Sequence, residues 1–433
     1  MKRFYLFSAI IILCINNAAF AFEGGNLTLE LAQHMALQNH PQIRSGTFSL
    51  SAAEQDVKAA RARYFPKVSG NIVGAYADNG TQIEAGDGLT NSSVLRRGAY
   101  GVSVSQLITD FGRTKNQIES VTADLEARSA KVENTRQRVL FDVTRAYYNA
   151  LRAQALEQVA DDTLKARSDF LEQVTALREA GRRSDLDVSI AKQDVSDAQL
   201  LKLQAKNGVN DAAAILSQAL GLAKVEHFAL VPEKNVLSPP ADIDRIIAQA
   251  LELNPELLTL KARALAARKT ADSDYAANYP TISALAYAGE VPYDPTGLSK
   301  SGYAAAGINL SIPIFEGGRI MAVSKSADYI AESAREDVID KQNSLSKDIR
   351  VAWNNVKVAY ENIDVVKQLL ENASVSLDLT SARYELGRSS IVDLAQAQLA
   401  KTKAEITNTN AVYEYLTQRA FLNYTAGYPL GSS

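Results

Sequence analysis

The sequence is nearly devoid of cysteine, and after its first residues it has no long apolar run. The single cysteine among its 433 residues is Cys14, inside an N-terminal apolar stretch. If that stretch is removed, neither disulfide bonds nor thiol chemistry can support the fold or the function. No later stretch of about 18 apolar residues occurs, which excludes a membrane-spanning helix. A secreted soluble protein and a β-barrel both remain, because barrel strands leave only a weak hydropathy signal.

Motifs that carry chemistry are missing as well. The three histidines, His34, His40 and His227, do not stand at metal-ligand spacing from one another or from acidic residues. We find no Ser/His/Asp arrangement, no recognisable pair of catalytic carboxylates and no glycine-rich phosphate loop. The formal net charge of −3 is poorly suited to sequence-independent binding of nucleic acid. The sequence therefore predicts no enzyme, no cofactor, no metal site and no nucleic-acid partner.

What is present begins with an export signal. Lys2 and Arg3 precede the apolar run from Phe4 to Ile15, and Ala19-Phe20-Ala21 supplies the small residues that signal peptidase requires. We predict a signal peptide over residues 1–21, whose removal would also remove Cys14. The apolar content of 46% is enough for the remaining chain to bury a sizeable core.

The rest of the chain contains an internal duplication. Ala36-Leu37, Pro41 and Tyr64-Phe65-Pro66 recur 214 residues later as Ala250-Leu251, Pro255 and Asn278-Tyr279-Pro280. After the next segment the offset is 206, and the pairs that keep it are Gly112-Arg113 with Gly318-Arg319, Ala146 with Ala352, Gly181 with Gly387, Asp187 with Asp393, and Gly221 with Gly427. The eight-residue difference is confined to the stretch between Pro66 and Gly112, which we expect to be a tolerant surface loop.

Each copy contains a very long segment without helix breakers. Neither glycine nor proline occurs between Gly112 and Gly181, or between Gly318 and Gly387, a spacing of 69 residues in both copies. At about 1.5 Å rise per residue, such a helix approaches 100 Å. Apolar residues follow a heptad seam along the first one: Ile118, Leu125, Val132, Val139, Ala146, Ala153 and Ala160. Its alanines suit close packing into a wide tube, although an ordinary antiparallel coiled coil fits the seam about as well.

Two pairs of alternating segments precede the long helices. Val68, Gly70, Ile72, Gly74 and Tyr76 alternate with their neighbours, and so do the residues around 100–105, 283–287 and 308–312. Polar, glycine-rich loops from Ala77 to Gly98 and from Gly289 to Gly302 separate the strands of each pair. Four strands cannot close a barrel in lipid, where about eight is the practical minimum, so strands that enter a membrane require self-association. Three copies would give twelve strands and two would give eight; strand counting leaves both open.

These features divide the mature chain into two repeats joined by a linker. Repeat 1 covers residues 22–222, the linker 223–241 and repeat 2 residues 242–433. The expected strands are about 67–77, 99–109, 281–288 and 303–312, and the expected long helices about 112–180, 184–220, 318–386 and 390–426.

The chain resembles the TolC-like family of outer-membrane efflux proteins over essentially all of its mature length. Members are similar in having two tandem repeats, a proline that ends the helix before each strand pair, and a Gly-Arg pair after it. The most specific match is the turn between the long helices, close to Gly-x-x-Ser/Thr-x-x-Asp-hydrophobic-x-x-Ala. It occurs twice here, as GRRSDLDVSIA over 181–191 and GRSSIVDLAQA over 387–397.

The resemblance implies an α+β membrane channel. Each chain would contribute four strands to a trimeric 12-stranded outer-membrane β-barrel, continued by a periplasmic α-helical barrel of coiled coils with the linker in an equatorial belt. Such a duct passively conducts substrates of a tripartite efflux pump or type I secretion system. The implied partners are two further copies, outer-membrane lipid, a periplasmic adaptor (membrane fusion) protein and an inner-membrane RND, MFS or ABC transporter.

The resemblance also indicates a gate at the glycine turns. In the family the position of Asp393 contributes to an acidic ring, in which like charges raise one another's pKa and favour protonation or cation occupancy. Asp187 is its counterpart in repeat 1. Ser184-x-x-Asp187 and Ser390-x-x-Asp393 equally resemble helix capping boxes, and the two roles are compatible.

At other turn positions the chain departs from the best-known family pattern. Gln396 replaces a second acidic gate residue, and Ser389, with Arg388 beside it, replaces an arginine that ties neighbouring protomers. The matching tyrosine is kept as Tyr384. Candidate turn and adaptor-docking residues are Gly181, Arg182, Arg183, Ser184, Gly387 and Ser390, with Arg178 nearby, although arginines there are also typical of solvated helix ends.

A second reading makes the chain a periplasmic adaptor or structural coiled-coil protein outside the membrane. An adaptor typically has one helical hairpin flanked by β domains, whereas this chain has two hairpins, each with its own strand pair. That arrangement favours the duct. Efflux and protein secretion remain open, since the cargo would be selected upstream.

Overall fold

The computed structural model describes residues 26–76, 96–233, 238–293 and 301–428. The predicted signal peptide and Cys14 lie outside these ranges, as does most of the predicted loop from Ala77 to Gly98. Across the described residues, the helices contain no apolar segment of the length needed to cross a membrane.

The two repeats contain the same series of α-helices and strands. Repeat 1 runs α1 Leu29–Asn39, α2 Pro41–Arg61, a short 3₁₀ turn at Ala62–Tyr64, β1 Lys67–Tyr76, β2 Arg96–Thr109, α3 Arg113–Glu179 and α4 Asp185–Ala219. Repeat 2 runs α5 Ile243–Leu253, α6 Pro255–Ala276, β3 Thr281–Tyr293, β4 Ser301–Ser311, α7 Arg319–Glu385 and α8 Ile391–Ala426.

The long helices α3 and α7 each contain 67 residues. They begin directly after Gly112 and Gly318, whose φ angles of 97° and 82° place them in the left-handed region. That conformation strains any residue with a Cβ, which explains why a glycine stands at each start. After each long helix the chain turns back on itself, so α4 packs against α3 and α8 against α7. Helix α3 also contacts α6 and α8.

Two consecutive helices precede each strand pair. Pro41 and Pro255 end the preceding helix, because proline restricts the residue before it to extended backbone. They then occupy the first position of the next helix, where the missing N–H costs nothing. His40 and Asn254 cap these second helices: His40 Nδ1 accepts from the N–H of Gln42 at 3.3 Å, and Asn254 Oδ1 from that of Glu256 at 3.0 Å.

The duplicated glycines at the ends of α4 and α8 pack against these breaks. Gly221 has a φ of 76° and Gly427 a φ of 75°. A Cβ on Gly221 would lie 3.0 Å from Cα of His40, and one on Gly427 would lie 3.0 Å from Cα of Asn254. Both the backbone conformation and the close approach therefore require glycine.

The four strands form one antiparallel sheet in the order β1-β2-β3-β4. β3 continues five residues beyond the expected end at 288, and β4 begins at Ser301, so the predicted loop from Gly289 to Gly302 is shorter than expected. Register places Val68, Val104, Ala286 and Ala306 in one row and Ser69, Ser103, Tyr287 and Ala305 in the next. One face of the sheet is thus mainly apolar and the other mainly polar. The outer edges of β1 and β4 have no partner strand within the described chain.

The largest core lies where the helices of both repeats meet the linker. Tyr147 is fully buried there, and its hydroxyl lies 2.8 Å from the carbonyl oxygens of Leu27 and Val231. It also accepts from the N–H of Val231 at 3.1 Å. A parallel bridge pairs Leu27 with Leu230 in the same place. Tyr147 therefore holds the N-terminal segment and the linker together against α3.

Candidate functional site: the two glycine turns

The two turns joining the long helices have the same backbone. In the first, Gly181 has a φ of 72° and the N–H of Arg182 donates to the carbonyl of Leu177 at 2.8 Å. In the second, Gly387 has a φ of 71° and the N–H of Arg388 donates to the carbonyl of Arg383 at 2.7 Å. Both are left-handed glycine caps that satisfy the last carbonyls of α3 and α7.

The helix after each turn starts with a capping box. Ser184 Oγ accepts from the N–H of Asp187 at 3.3 Å, while Asp187 Oδ2 accepts from the N–H of Ser184 at 2.9 Å. The second turn repeats this arrangement, with distances of 3.1 Å for Asp393 N–H to Ser390 Oγ and 3.0 Å for Ser390 N–H to Asp393 Oδ2. Both aspartates therefore have a structural role in starting α4 and α8.

Asp393 accepts one more hydrogen bond than Asp187. Ser389 Oγ donates to Asp393 Oδ2 at 3.1 Å, and Ser390 Oγ donates to the same atom at 2.8 Å. The hydrogen bonds from Ser390, followed by the one from Ser389, lower the pKa of Asp393 below its ordinary value, because they stabilise the carboxylate. Within one protomer this is opposite in direction to the shift expected from a ring of like charges.

The turns contact each other through Arg183 and Tyr384. The guanidinium carbon of Arg183 lies 3.9 Å from the centroid of the Tyr384 ring, and Arg183 Nη2 donates to the backbone carbonyl of Tyr384. This geometry combines a cation–π contact with a charge-assisted hydrogen bond. The first hairpin is thereby joined to the second at its tip.

An apolar cluster surrounds the ring of Tyr384. The ring centroid of Phe170 lies 5.7 Å from that of Tyr384, and the buried members of the cluster are Val174, Ala191, Tyr384, Ile391 and Leu394, from all four long helices. Tyr384 is only 2% exposed, and its hydroxyl has no hydrogen-bond partner among the described residues. Burial is the main reason that the pKa of Tyr384 is raised. The ring closes the space between the hairpins, while its hydroxyl contributes no polar contact there.

The other predicted turn residues lie outside this contact. Gln396 is exposed on α8 and faces a groove shared with α4 and α3. Arg182 and Arg388 are exposed, and neither forms an ion pair with a described residue. Arg178 pairs with Asp185 across the first turn at 2.8 Å.

Sequence reasoning identified Arg183 only as a turn and docking candidate and did not pair it with Tyr384. The family pattern directed attention to position 389, where a serine stands, whereas the arginine is at the matching position of the other turn. Comparing charged residues at matching positions of the two repeats, at the offset of 206, identifies Arg183 as the arginine that position 389 lacks. Among the described residues, no group of three or more His, Cys, Asp and Glu could hold a metal ion.

The family model described as "Outer membrane efflux protein" matches residues 32–222 and 246–427, which include both hairpins and the whole sheet. Outer membrane protein TolC of Escherichia coli (strain K12) is 23% identical over 99% of this chain and 87% of its own length. Alkaline protease secretion protein AprF of Pseudomonas aeruginosa is 26% identical over 98% and 88%.

Solved structures have the same fold. The crystal structure of CusC matches with a TM-score of 0.82 at 19% identity, covering 93% of this chain and 92% of the other. That of the outer membrane protein VceC from Vibrio cholerae matches with a TM-score of 0.78 at 18% identity, covering 93% and 96%.

Proposed function

The chain belongs to the outer membrane efflux protein family and is an outer-membrane exit duct with a periplasmic extension, and we propose that three copies of it form that duct. The family is one of transport channels and not of enzymes. In the proposed assembly the sheets form a twelve-stranded barrel and the long helices a periplasmic tunnel. Substrates pass through it passively, delivered by an inner-membrane RND, MFS or ABC transporter and a periplasmic adaptor.

The open sheet supports self-association. Its order leaves β1 and β4 at the two edges, with unpaired backbone groups along both. In lipid these groups need partners, and four strands are too few to close on themselves. Pairing of β4 of one copy with β1 of the next supplies the partners.

The uneven burial of the two longest helices is the observation that carries the proposal. Positions on one face of α3 are covered by α6 and α8 of the same chain, whereas the matching positions of α7 are exposed. Ala123 is 2% exposed, but its counterpart Tyr329 is 66% exposed. Further pairs that are buried in α3 and exposed in α7 include Ser120 and Ser326, Ala127 and Ser333, Gln137 and Asn343, and Phe141 and Lys347. A neighbouring copy that packs on α7 as α6 and α8 pack on α3 covers this face.

The internal repeat predicts which residues meet between neighbouring copies. Within the chain, Ser120 Oγ on α3 lies 2.8 Å from Thr270 Oγ1 on α6. The counterparts of these residues are Ser326 on α7 and Asp56 on α2. Repetition of the α3–α6 packing around a ring therefore places Asp56 of one copy beside Ser326 of the next.

Paired cysteines test this arrangement. In the protein carrying Asp56→Cys and Ser326→Cys, mild oxidation is expected to link copies into a covalent trimer that denaturing electrophoresis resolves. Each single substitution is the control and is expected to give no such trimer. A double variant that remains uncrosslinked, or whose crosslinking stops at dimers, contradicts the proposed ring. Cell fractionation of the native protein tests its location, and native protein in the soluble periplasmic fraction would favour the coiled-coil alternative.

We place the gate of the duct at the glycine turns. Asp187 and Asp393 supply negative charge at the mouth, and the Arg183–Tyr384 contact holds the two hairpins of each copy together. The exposed Arg182 and Arg388 are available to an adaptor. Relatives include proteins named for protease secretion and for solvent efflux, so both cargo classes fit this chain. A neighbouring gene for an ABC exporter or for a proton-driven pump would distinguish them.

A further inference from the structure

A cavity with a strong excess of positive charge lies far from the glycine turns. It occupies about 580 Å³ between α2, α3 and α6, a size in the usual range for small-ligand sites. Four basic side chains line it, Arg128, Lys131, Arg138 and Arg263, and Asp124 is the one acidic residue among the lining residues. All of these lining residues belong to one chain.

Most of this charge is uncompensated. Arg128 Nε pairs with Asp124 at 2.9 Å. Lys131, Arg138 and Arg263 form no ion pair within the part of the chain that the structure describes. Three like charges around one cavity repel one another, and an anion between them relieves that repulsion.

Two of the guanidinium groups are already held in position. Arg128 donates to Ser49 Oγ at 3.4 Å as well as pairing with Asp124, and Arg138 Nη2 donates to Gln42 Oε1 at 3.1 Å. α2 can approach α3 closely because Gly46 faces Val132, where a Cβ would lie 3.3 Å from a methyl group. That approach brings the α2 residues that hold the arginines to the basic face of α3. Fixed guanidinium groups bind phosphate and carboxylate oxygens with less loss of side-chain entropy.

The second repeat shows that the fold does not need these cations. At the offset of 206, the counterparts of Arg128, Lys131 and Arg138 are Ala334, Asp337 and Ser344. The backbone is duplicated, but α7 lacks the three cations that α3 contributes to the cavity, and the fourth, Arg263, is contributed by α6. The basic cluster is therefore a property of this cavity and not of long helices in general.

We propose that this cavity binds a small multivalent anion, with phosphate or carboxylate groups, between Lys131, Arg138 and Arg263. Binding involves no covalent step and is independent of the gate. Because the contacts are charge-assisted and the three side chains are exposed, the affinity falls as ionic strength rises. Each chain provides one site, so the full assembly has one site per copy.

Titration calorimetry of the purified full-length protein with inorganic pyrophosphate at low ionic strength tests the proposal. We expect saturable binding at one site per chain, weakened at least about tenfold in Lys131→Ala/Arg263→Ala. The matched control is Arg335→Ala, which removes an exposed α7 arginine that pairs with Glu332 and is expected to leave binding unchanged.

Two results would overturn the site: no saturable binding to the wild type, or equal binding to the wild type and the double variant. If the double variant fails to assemble, Lys131→Gln alone replaces it and is expected to weaken binding severalfold.

Citrate in place of pyrophosphate then distinguishes carboxylate from phosphate ligands, since tighter binding of either one assigns the class. The gate residues lie on other parts of the helices, so failure here leaves the proposed duct untouched.

Discussion

The first and second glycine turns share a backbone and differ in the side chains that meet between them. The first turn carries Arg178 and Arg183, and the matching positions of the second carry Tyr384 and Ser389. Within one chain this brings Arg183 onto the Tyr384 ring. Across a ring of copies the equivalent contact would bring Ser389 of one chain towards Arg178 of the next, and Arg178 is already paired with Asp185. The duplicated backbone therefore carries an arginine–tyrosine contact between the two hairpins of one chain, but not at the equivalent position between neighbouring chains.

Truncation of the second turn's tyrosine should break this asymmetry most strongly. Tyr384→Ala removes a ring that is 2% exposed and packed against Phe170, and loss of a buried aromatic costs about 3–5 kcal/mol. We expect the tips to separate and the conductance of the channel in a planar bilayer to rise severalfold. Tyr384→Phe is the control, because the lost hydroxyl has no hydrogen-bond partner among described residues, and it should retain the wild-type conductance. A small conductance preserved in the alanine variant would contradict a closing role for the ring.

The aspartates of the two turns offer the next contrast. If Asp393 occupies the acidic gate position that we propose, Asp393→Ala should weaken block of the channel by divalent cations more than Asp187→Ala. The measurement is the concentration of cation that halves the current through a bilayer. Unchanged block in Asp393→Ala would remove this residue from the gate.

The pH dependence of this block follows from the lowered pKa of Asp393. Because its pKa is lowered, the Asp393 carboxylate is already charged at every pH above the ordinary aspartate value of about 3.9. It loses this charge, and the hydrogen bonds that depend on it, only as the pH falls through the lowered pKa. Cation block should therefore persist down to about pH 4 and be lost in stronger acid. Ser390→Ala removes the main cause of the shift and should move this loss to higher pH. Block that disappears well above pH 4 in the wild type would show that repulsion within the ring outweighs the capping hydrogen bonds.

The smallest expected difference concerns the caps themselves. Ser184→Ala and Ser390→Ala each remove one capping side chain and should destabilise their helix by about 1 kcal/mol. Hydrogen exchange at the first turns of α4 and α8 measures this effect. Both substitutions should accelerate exchange locally by similar amounts, since the two boxes have nearly the same geometry. A cap whose loss opens the whole hairpin would contradict its local role.

Sequence patterns were most informative where one residue type decides the backbone. The absence of glycine and proline predicts the long helices, and the glycines at 112, 181, 318 and 387 stand where the chain turns. Pro41 and Pro255 were recognised only as paired positions of the duplication, and the two helices that each of them separates were not predicted. The C-terminal end of β3 was misjudged, since Gly289 and its neighbours are typical of loops but continue the ladder with β4.

The contact at the candidate site could not be derived from local patterns. Arg183 and Tyr384 are 201 residues apart, and only the packing of α3, α4, α7 and α8 brings them together. The capping boxes, by contrast, depend on residues three apart and were readable directly. Contacts between the repeats depend on which residues differ at matching positions of the two repeats.

The conductance of single channels carrying Arg183→Ala, measured beside Arg388→Ala, tests the central claim most directly. Arg183 contributes a cation–π contact of about 0.5–2 kcal/mol and a charge-assisted hydrogen bond, whereas Arg388 is exposed and its side chain makes no ion pair with a described residue. We predict that Arg183→Ala opens the inner mouth and raises the conductance, and that Arg388→Ala leaves it at the wild-type value. Equal conductance in both variants and the wild type would contradict a duct that is held closed by contact between its two turns.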